Sequence, residues 1–310
     1  MPLDPTTAAV LAQLAEADAP PMSQLAPAAA REMYAQMQPP APELEVGSVE
    51  DRTIPGPGGE LPVRIYRPAG DGPFPVHLFF HGGGWVIGDL DTHDADCREL
   101  CRGAGCIVVA VHYRLAPEHP FPAAPEDCYA ATAWAAAHAE ALGGRPGPVT
   151  IGGDSAGGNL AAVVALLARD RGGPEIALQL LVYPVTDAAM DTPSYRENGE
   201  GYLLTFDSMR WFWDHYCPAE QRSDPRASPL RAEDLSGLPP AVVLTAEYDP
   251  LRDEGLAYAE RLRAAGVPVE YRCFDGLIHG FFSQVRMIPA GRAGIDTAVD
   301  ALRRVHGRGA

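Results

Sequence analysis

From position 75 onward, short runs of consecutive apolar residues alternate with longer segments of helical periodicity. Strands are expected near Pro75 to Phe80, Ile107 to His112, Val149 to Gly152, Leu178 to Tyr183, Ala241 to Thr245 and Val269 to Phe274. Between them, Thr92 to Arg102, Ala123 to Leu142, Ser155 to Arg169, Arg252 to Ala265 and Ala290 to Arg304 read as helices. Strands apolar on both faces and joined by crossovers describe a mostly parallel sheet sandwiched by helices, an α/β architecture. Two further β-patterned stretches, Leu44 to Ile54 and Leu61 to Tyr66, flank the turn-forming Pro55-Gly56-Pro57-Gly58-Gly59 and predict an antiparallel hairpin. Ahead of them, Ala8 to Ala17 and Ala28 to Met37 are helical in pattern. The rhythm breaks between Tyr183 and Ala241, where aromatic residues cluster in 201–206 and 209–216. That interval reads as an insertion above the sheet, meeting the N-terminal helices as a lid; ordinary helix packing explains most of its aromatics equally well.

Composition narrows the chemistry. The 310 residues are 46% hydrophobic and 21% charged, enough to bury a sizeable core, and the formal charge of −17 argues against nucleic acid and anionic membranes as partners. All 24 basic residues are arginine, which removes every mechanism that needs a lysine amine, from Schiff-base chemistry to Walker-type phosphate binding. The six cysteines form no CxxC pair, so a structural zinc site is not expected. No basic leader followed by an apolar stretch is apparent, nor a run long enough to span a bilayer, and a cytoplasmic protein with reduced thiols is expected.

Gly153-Asp154-Ser155-Ala156-Gly157-Gly158 stands between the strand at Val149 and an apolar helix. A sharp strand-to-helix turn of this kind holds a nucleophilic serine in strained backbone geometry, with glycines leaving room on either side. His81-Gly82-Gly83-Gly84-Trp85 directly follows another strand. Glycine amides aimed at a developing oxyanion contribute about 3 to 4 kcal/mol each, and the N–H groups of Gly83, Gly84 and Ala156 are assigned to that hole. A dinucleotide loop is excluded because position 87, where GxGxxG needs glycine, is Ile87.

Serine needs a base, and the base an orienting acid. His279 lies in a glycine-bearing loop after the last expected strand, whereas His77 and His112 fall inside strand patterns. His93, His119, His138, His215 and His306 have no comparable placement. Asp249 follows the preceding strand; Asp253 looks like a helix-capping carboxylate and Asp275 is a weaker rival. The order Ser155, Asp249, His279 is that of the α/β-hydrolases.

The combination of His81-Gly-Gly-Gly-Trp85, Tyr113-Arg-Leu-Ala-Pro-Glu118, Gly153-Asp-Ser-Ala-Gly-Gly158, Asp249-Pro-Leu-Arg-Asp253 and His279-Gly-Phe281 resembles the bacterial hormone-sensitive-lipase-like, or family IV, carboxylesterases over nearly the whole chain. The resemblance implies an α/β-hydrolase fold with a mostly parallel eight-stranded sheet flanked by helices, and a helical cap. It places the N-terminal part of the cap at 1–43, the catalytic core at 44–185 and 226–310, and the cap insertion at 186–225. It also implies hydrolysis of short- to medium-chain acyl esters, with His81, Gly82 and Asp154 supporting the oxyanion loop and Tyr113 to Glu118 supporting the site structurally. The expected partner is a small-molecule ester, no cofactor or metal is required, and a homodimer is left open. Trp85, Tyr202, Leu203, Phe206, Trp211 and Phe212 are candidates for lining the acyl pocket. An amidase, formamidase or lactonase on the same scaffold, and a ligand-binding protein without turnover, are the competing readings. Uptake of a proton by His279 would lower activity in acid.

Overall fold

A computed structural model describes residues 2–17 and 19–307. They form an eight-stranded sheet in the order β1-β2-β4-β3-β5-β6-β7-β8. The strands are β1 Ser48–Gly56, β2 Gly59–Arg67, β3 Val76–Phe80, β4 Ile107–Val111, β5 Val149–Asp154, β6 Ile176–Val182, β7 Ala241–Tyr248 and β8 Val269–Ile278. The expected hairpin is present, β1 and β2 pairing antiparallel with Gly56 opposite Gly59. From β4 to β8 every pairing is parallel.

That order decides where a site can form. The chain passes from β3 to its neighbour β4 on one side, then returns to lay β5 on the other side of β3. The loops leaving β3 and β5 therefore diverge, opening a crevice at the carboxyl ends of these two strands, where ligands bind in open α/β sheets. The glycine loop after Phe80 and the turn at Ser155 occupy those two ends.

Helices α1 Pro5–Glu16, α2 Pro27–Met37, α3 Asp94–Ala104, α4 Ala123–Ala137, α5 Ala156–Arg171, α6 Pro193–Asn198, α7 Phe206–Tyr216, α8 Arg252–Ala264 and α9 Arg292–Val305 complete the chain. The helix expected over Ala123 to Leu142 ends at Ala137 and resumes as a short 3-10 turn at Glu140–Leu142. Helix α5 is buried at every position from Ala156 to Ala168, which explains its nearly continuous apolar sequence: sheet and helices surround it, so it has no solvent face to mark with polar residues. Strand β8 is the opposite case, an edge strand whose exposed and covered positions alternate from Val269 to Cys273.

The N-terminal segment is tied to the loops around the crevice. Arg31 of α2 donates to the carbonyls of Val86 (2.8 Å) and Ala116 (2.9 Å). It also pairs with Glu118, and its guanidinium holds that carboxyl down at about 2. The amide of Ala41 donates to Asp94 at the start of α3 (2.9 Å). Helix α7 is anchored by aromatic packing: Trp85 lies parallel to Tyr216 with ring centroids 4.0 Å apart, and Trp213 leans on Trp85 at 4.8 Å. All three rings are wholly enclosed. Truncating Trp213 to alanine leaves a cavity against both partners, and chemical denaturation is expected to show a loss of about 3 to 5 kcal/mol.

Candidate active site

Ser155 joins β5 to α5 with φ 56° and ψ −118°, a left-handed conformation that side-chain-bearing residues rarely adopt. The neighbouring glycines show why the turn takes this form. A Cβ on Gly157 would lie 1.8 Å from the carbonyl oxygen of Phe80, and one on Gly153 would lie 2.3 Å from the same atom. The last residue of β3 is thus pressed against the turn from both sides of the serine, and only hydrogen fits at these two positions.

His279 stands at the end of β8, with its Nε2 3.0 Å from Ser155 Oγ and its Nδ1 2.8 Å from Asp249 Oδ2. The other Asp249 oxygen accepts the Leu251 amide at 2.8 Å. Asp249 is 0% exposed, while Ser155 and His279 each retain 8%. The carboxylate is sealed beneath the imidazole, and the hydroxyl stays reachable. Tyr183, itself at φ 33°, packs its ring 4.5 Å from the His279 ring, centroid to centroid. The rival acids lie elsewhere: Asp253 accepts the Ser194 amide and pairs with Arg252, and Asp275 is exposed on β8.

On the other side of the serine, the glycine loop is held from below. The Gly82 amide donates to Asp154 Oδ1 at 2.8 Å. His81 Nδ1 lies 2.7 Å from the Gly82 carbonyl, which can only accept, so the proton sits on Nδ1. Tyr113 stacks on the His81 ring at 4.3 Å and donates its hydroxyl to the His81 carbonyl at 2.8 Å. Burial, helped by the nearby His93 and His112, pushes the His81 imidazole down to about 3, so it remains a neutral donor. Gly83 and Gly84 have φ of 110° and 56°. A Cβ on Gly84 would meet the Phe212 ring at 2.1 Å. Ala156 opens α5, so no intrahelical carbonyl is available to its N–H.

The six residues expected around the acyl pocket divide. Phe212 covers Gly84 directly, Trp211 is half-buried with its ring edge-on to Phe212 at 5.2 Å, and Leu203 lies beside Gly280, next to His279. Tyr202 packs on Tyr248 at 5.0 Å. Two expectations are corrected. Trp85 has no exposed surface, because it is sandwiched against Tyr216 and Trp213. Phe206, 38% exposed, turns its edge to Tyr195 on the outside of the insertion. Both are aromatic neighbours of glycine-rich segments, a pattern that does not reveal side-chain direction.

Sequence reasoning passed over His93 and Glu254. His93 Nε2 lies 3.4 Å from Asp154 Oδ1, directly beneath the glycine loop. Its signal was faint, a lone histidine before a helix. Glu254 on α8 is buried and accepts the Thr186 amide at 2.6 Å. Burial, with the charges of Asp187 and Asp249, raises its carboxyl well above the usual range. Among the described residues no group of three or more His, Cys, Asp or Glu side chains is placed to hold a metal ion.

The chain is also similar to known proteins. A family model described as alpha/beta hydrolase fold matches residues 77–283. The chain is 51% identical to the carboxylic ester hydrolase LipN of Mycobacterium tuberculosis, over 85% of this chain and 72% of that protein. It is 43% identical to an ethyl acetate hydrolase of Pseudomonas putida, over 80% and 79% of the two chains. A crystal structure of a thermostable esterase from Pseudomonas putida superimposes with a TM-score of 0.94 at 42% identity, covering 98% of both chains. By sheet order and by this similarity over most of its length, the chain belongs to the α/β-hydrolase fold family.

Proposed function

We propose that this protein is a carboxylic ester hydrolase that cleaves short- to medium-chain acyl esters, with Ser155 as nucleophile, His279 as base and Asp249 as orienting acid. The reading rests on one observation: an unbroken hydrogen-bonded line from Asp249 through both ring nitrogens of His279 to Ser155 Oγ, at 2.8 and 3.0 Å. Similarity to proteins named as ester hydrolases and esterases supports the choice of ester over amide substrates.

Asp249 accepts the Nδ1 proton and leaves Nε2 as the free base facing Ser155. As Oγ attacks the ester carbonyl, its proton passes to Nε2, and Asp249 stabilises the imidazolium formed. The tetrahedral oxyanion is received by the N–H groups of Gly83, Gly84 and Ala156, already oriented by the β3 loop and the α5 N-terminus. Nε2 then protonates the departing alkoxide, and the alcohol leaves an acyl-Ser155. Water attacks this acyl-enzyme and gives its proton to Nε2, which returns it to Ser155 Oγ as the second tetrahedral intermediate collapses to the carboxylic acid and free Ser155.

The N-terminal helices and residues 186–225 are assigned to a cap over this centre. Phe212 and Leu203 are its pocket-facing side chains, because they lie against the oxyanion loop and the His279 loop, and Trp211 packs edge-on against Phe212.

Substituting Ser155 by alanine is expected to lower kcat for p-nitrophenyl butyrate by about 10⁴-fold or more, and an organophosphonate should label Ser155 in the parent protein alone. Unchanged turnover in that variant would remove Ser155 as nucleophile. Gly84→Ala drives a Cβ into Phe212 and displaces the loop; kcat is expected to fall by about 10²-fold with folding intact by circular dichroism. Trimming Phe212 to alanine opens space above the same loop, so a p-nitrophenyl ester series should show its optimum moving to longer acyl chains.

A further inference from the structure

The glycine loop after β3 is held from its outer side as well as from below. Its Gly83 carbonyl accepts two amides of the same loop, Val86 at 3.0 Å and Ile87 at 2.9 Å. The coil is closed so tightly that a Cβ on Gly83 would lie 2.2 Å from the Ile87 carbonyl oxygen. Each of the two donating amides belongs to a peptide unit whose carbonyl is gripped in turn. The Trp85 carbonyl, in one unit with the Val86 N–H, accepts the Ala116 amide at 2.9 Å. The Val86 carbonyl, in one unit with the Ile87 N–H, accepts Nε of Arg31 at 2.8 Å. Arg31 reaches both lines, because its Nη2 donates to the Ala116 carbonyl at 2.9 Å. Nη1 and Nη2 also form a two-pronged pair with Glu118, at 2.9 and 2.6 Å.

We propose that Arg31 is a positioning residue for the oxyanion hole, orienting the Gly84 N–H through two successive peptide planes; the assignment rests on the ester-hydrolase reading of the site. In a planar trans peptide the C=O and N–H point in opposite directions. Fixing the Val86 carbonyl on Arg31 therefore aims the Ile87 N–H at Gly83. Fixing the Gly83 carbonyl there aims the Gly84 N–H the opposite way, out of the coil. The guanidinium stands at the donor end of this line, so its charge polarises each peptide in the same sense and strengthens the last N–H as a donor. Glu118 offsets part of that charge while holding the guanidinium in place, which leaves orientation as the larger effect. The Ala116 amide feeds the same Gly83 carbonyl through the Trp85–Val86 unit, and Arg31 fixes that line too by its bond to Ala116.

The task suits an arginine alone. A rigid planar fork of five N–H donors meets two carbonyls on separate segments and a carboxylate together; an ammonium is a point donor whose three N–H groups diverge and cannot lie along all of these lines. The side chain is carried by α2, whose neighbouring Ala30 is wholly buried, so docking of that helix delivers the guanidinium to the loop. The N-terminal segment thereby acts on the chemistry through a residue that touches no substrate. Arg31 lines a cavity of about 550 Å³ together with Gly58, Leu61, His112, Glu118 and His119, and the walls of that cavity include none of Gly83, Gly84, Ser155 or His279. Its side chain is 30% exposed, so a small guanidinium ion from solution can reach the position once the side chain is removed.

The test compares the parent protein, Arg31→Ala and Arg31→Lys on p-nitrophenyl butyrate, with Ser155→Ala assayed in parallel. In Arg31→Ala, kcat is expected to fall about 10- to 100-fold with KM held within about threefold, since a misdirected amide weakens the hold on the oxyanion and not on the resting ester. Inhibition by a short-chain trifluoromethyl ketone, whose adduct with Ser155 carries the oxyanion, should weaken in step with kcat/KM. Methylguanidinium added to Arg31→Ala should restore part of kcat where methylammonium does not, a difference that lost packing alone would not produce. Arg31→Lys should stay impaired in kcat and in ketone inhibition, because charge without the planar fork does not replace it. An Arg31→Ala protein with kcat within about twofold of the parent overturns the proposal. So does a loss confined to KM, or methylguanidinium restoring no more activity than methylammonium. Where Arg31→Ala does not fold by circular dichroism, Arg31→Lys decides on the same kcat and ketone criteria. Turnover that survives Ser155→Ala removes the ester-hydrolase assignment of the site, whereas an inactive Ser155→Ala beside unaffected Arg31 variants removes this proposal alone.

Discussion

The hydrogen bond from the Gly82 amide to the Asp154 carboxylate joins the two loops on which the site depends. One end belongs to the segment leaving β3, the other to the strand end that presents Ser155. Both loops emerge where the sheet changes direction, so without a tie they would splay apart. The tie lies at the base of the crevice, in a low-dielectric setting where a charge-assisted bond is strong and an unpaired carboxylate would be costly. His81, Tyr113 and His93 brace it from three directions.

Steric constraint works alongside it. The Phe80 carbonyl leaves no room for a Cβ at Gly153 or Gly157, so the nucleophile turn and the end of β3 are fitted to one another by close packing. The strain at Ser155 is sustained because its surroundings over-determine the backbone there: β5 on one side, the fully buried α5 on the other, and Phe80 pressed between. Flexibility is better placed on the outer side, where α7 rests on Trp85 and the glycine loop through aromatic faces, without backbone pairing to the sheet.

Much of this was legible in one dimension. Apolar runs bounded by turns marked the central strands, because strands buried on both faces leave no polar alternation to confuse them. The elbow and the glycine loop were legible for a different reason: each is a local backbone device whose glycines are required by conformation and close approach. Asp249 and His279 could be chosen because their loops had to end at the carboxyl edge of neighbouring strands, and the structure brings their side chains into line with Ser155. The side chains facing the pocket were not legible. Trp85 and Phe206 carry the same composition signal as Phe212, yet one is sealed in the core and another faces outward.

The amino-acid sequence alone determined the sheet, the order of its chemical groups and the sharp turn at Ser155, since these follow from periodicity and from conformational demands within a few residues. Only the tertiary structure decided that His93 meets Asp154 under the glycine loop, that Glu254 is enclosed, and that Phe212 rather than Trp85 covers Gly84. Those relations depend on which faces of distant segments meet and on how much water is excluded where they do. Neither quantity is written in the spacing of residues along a chain.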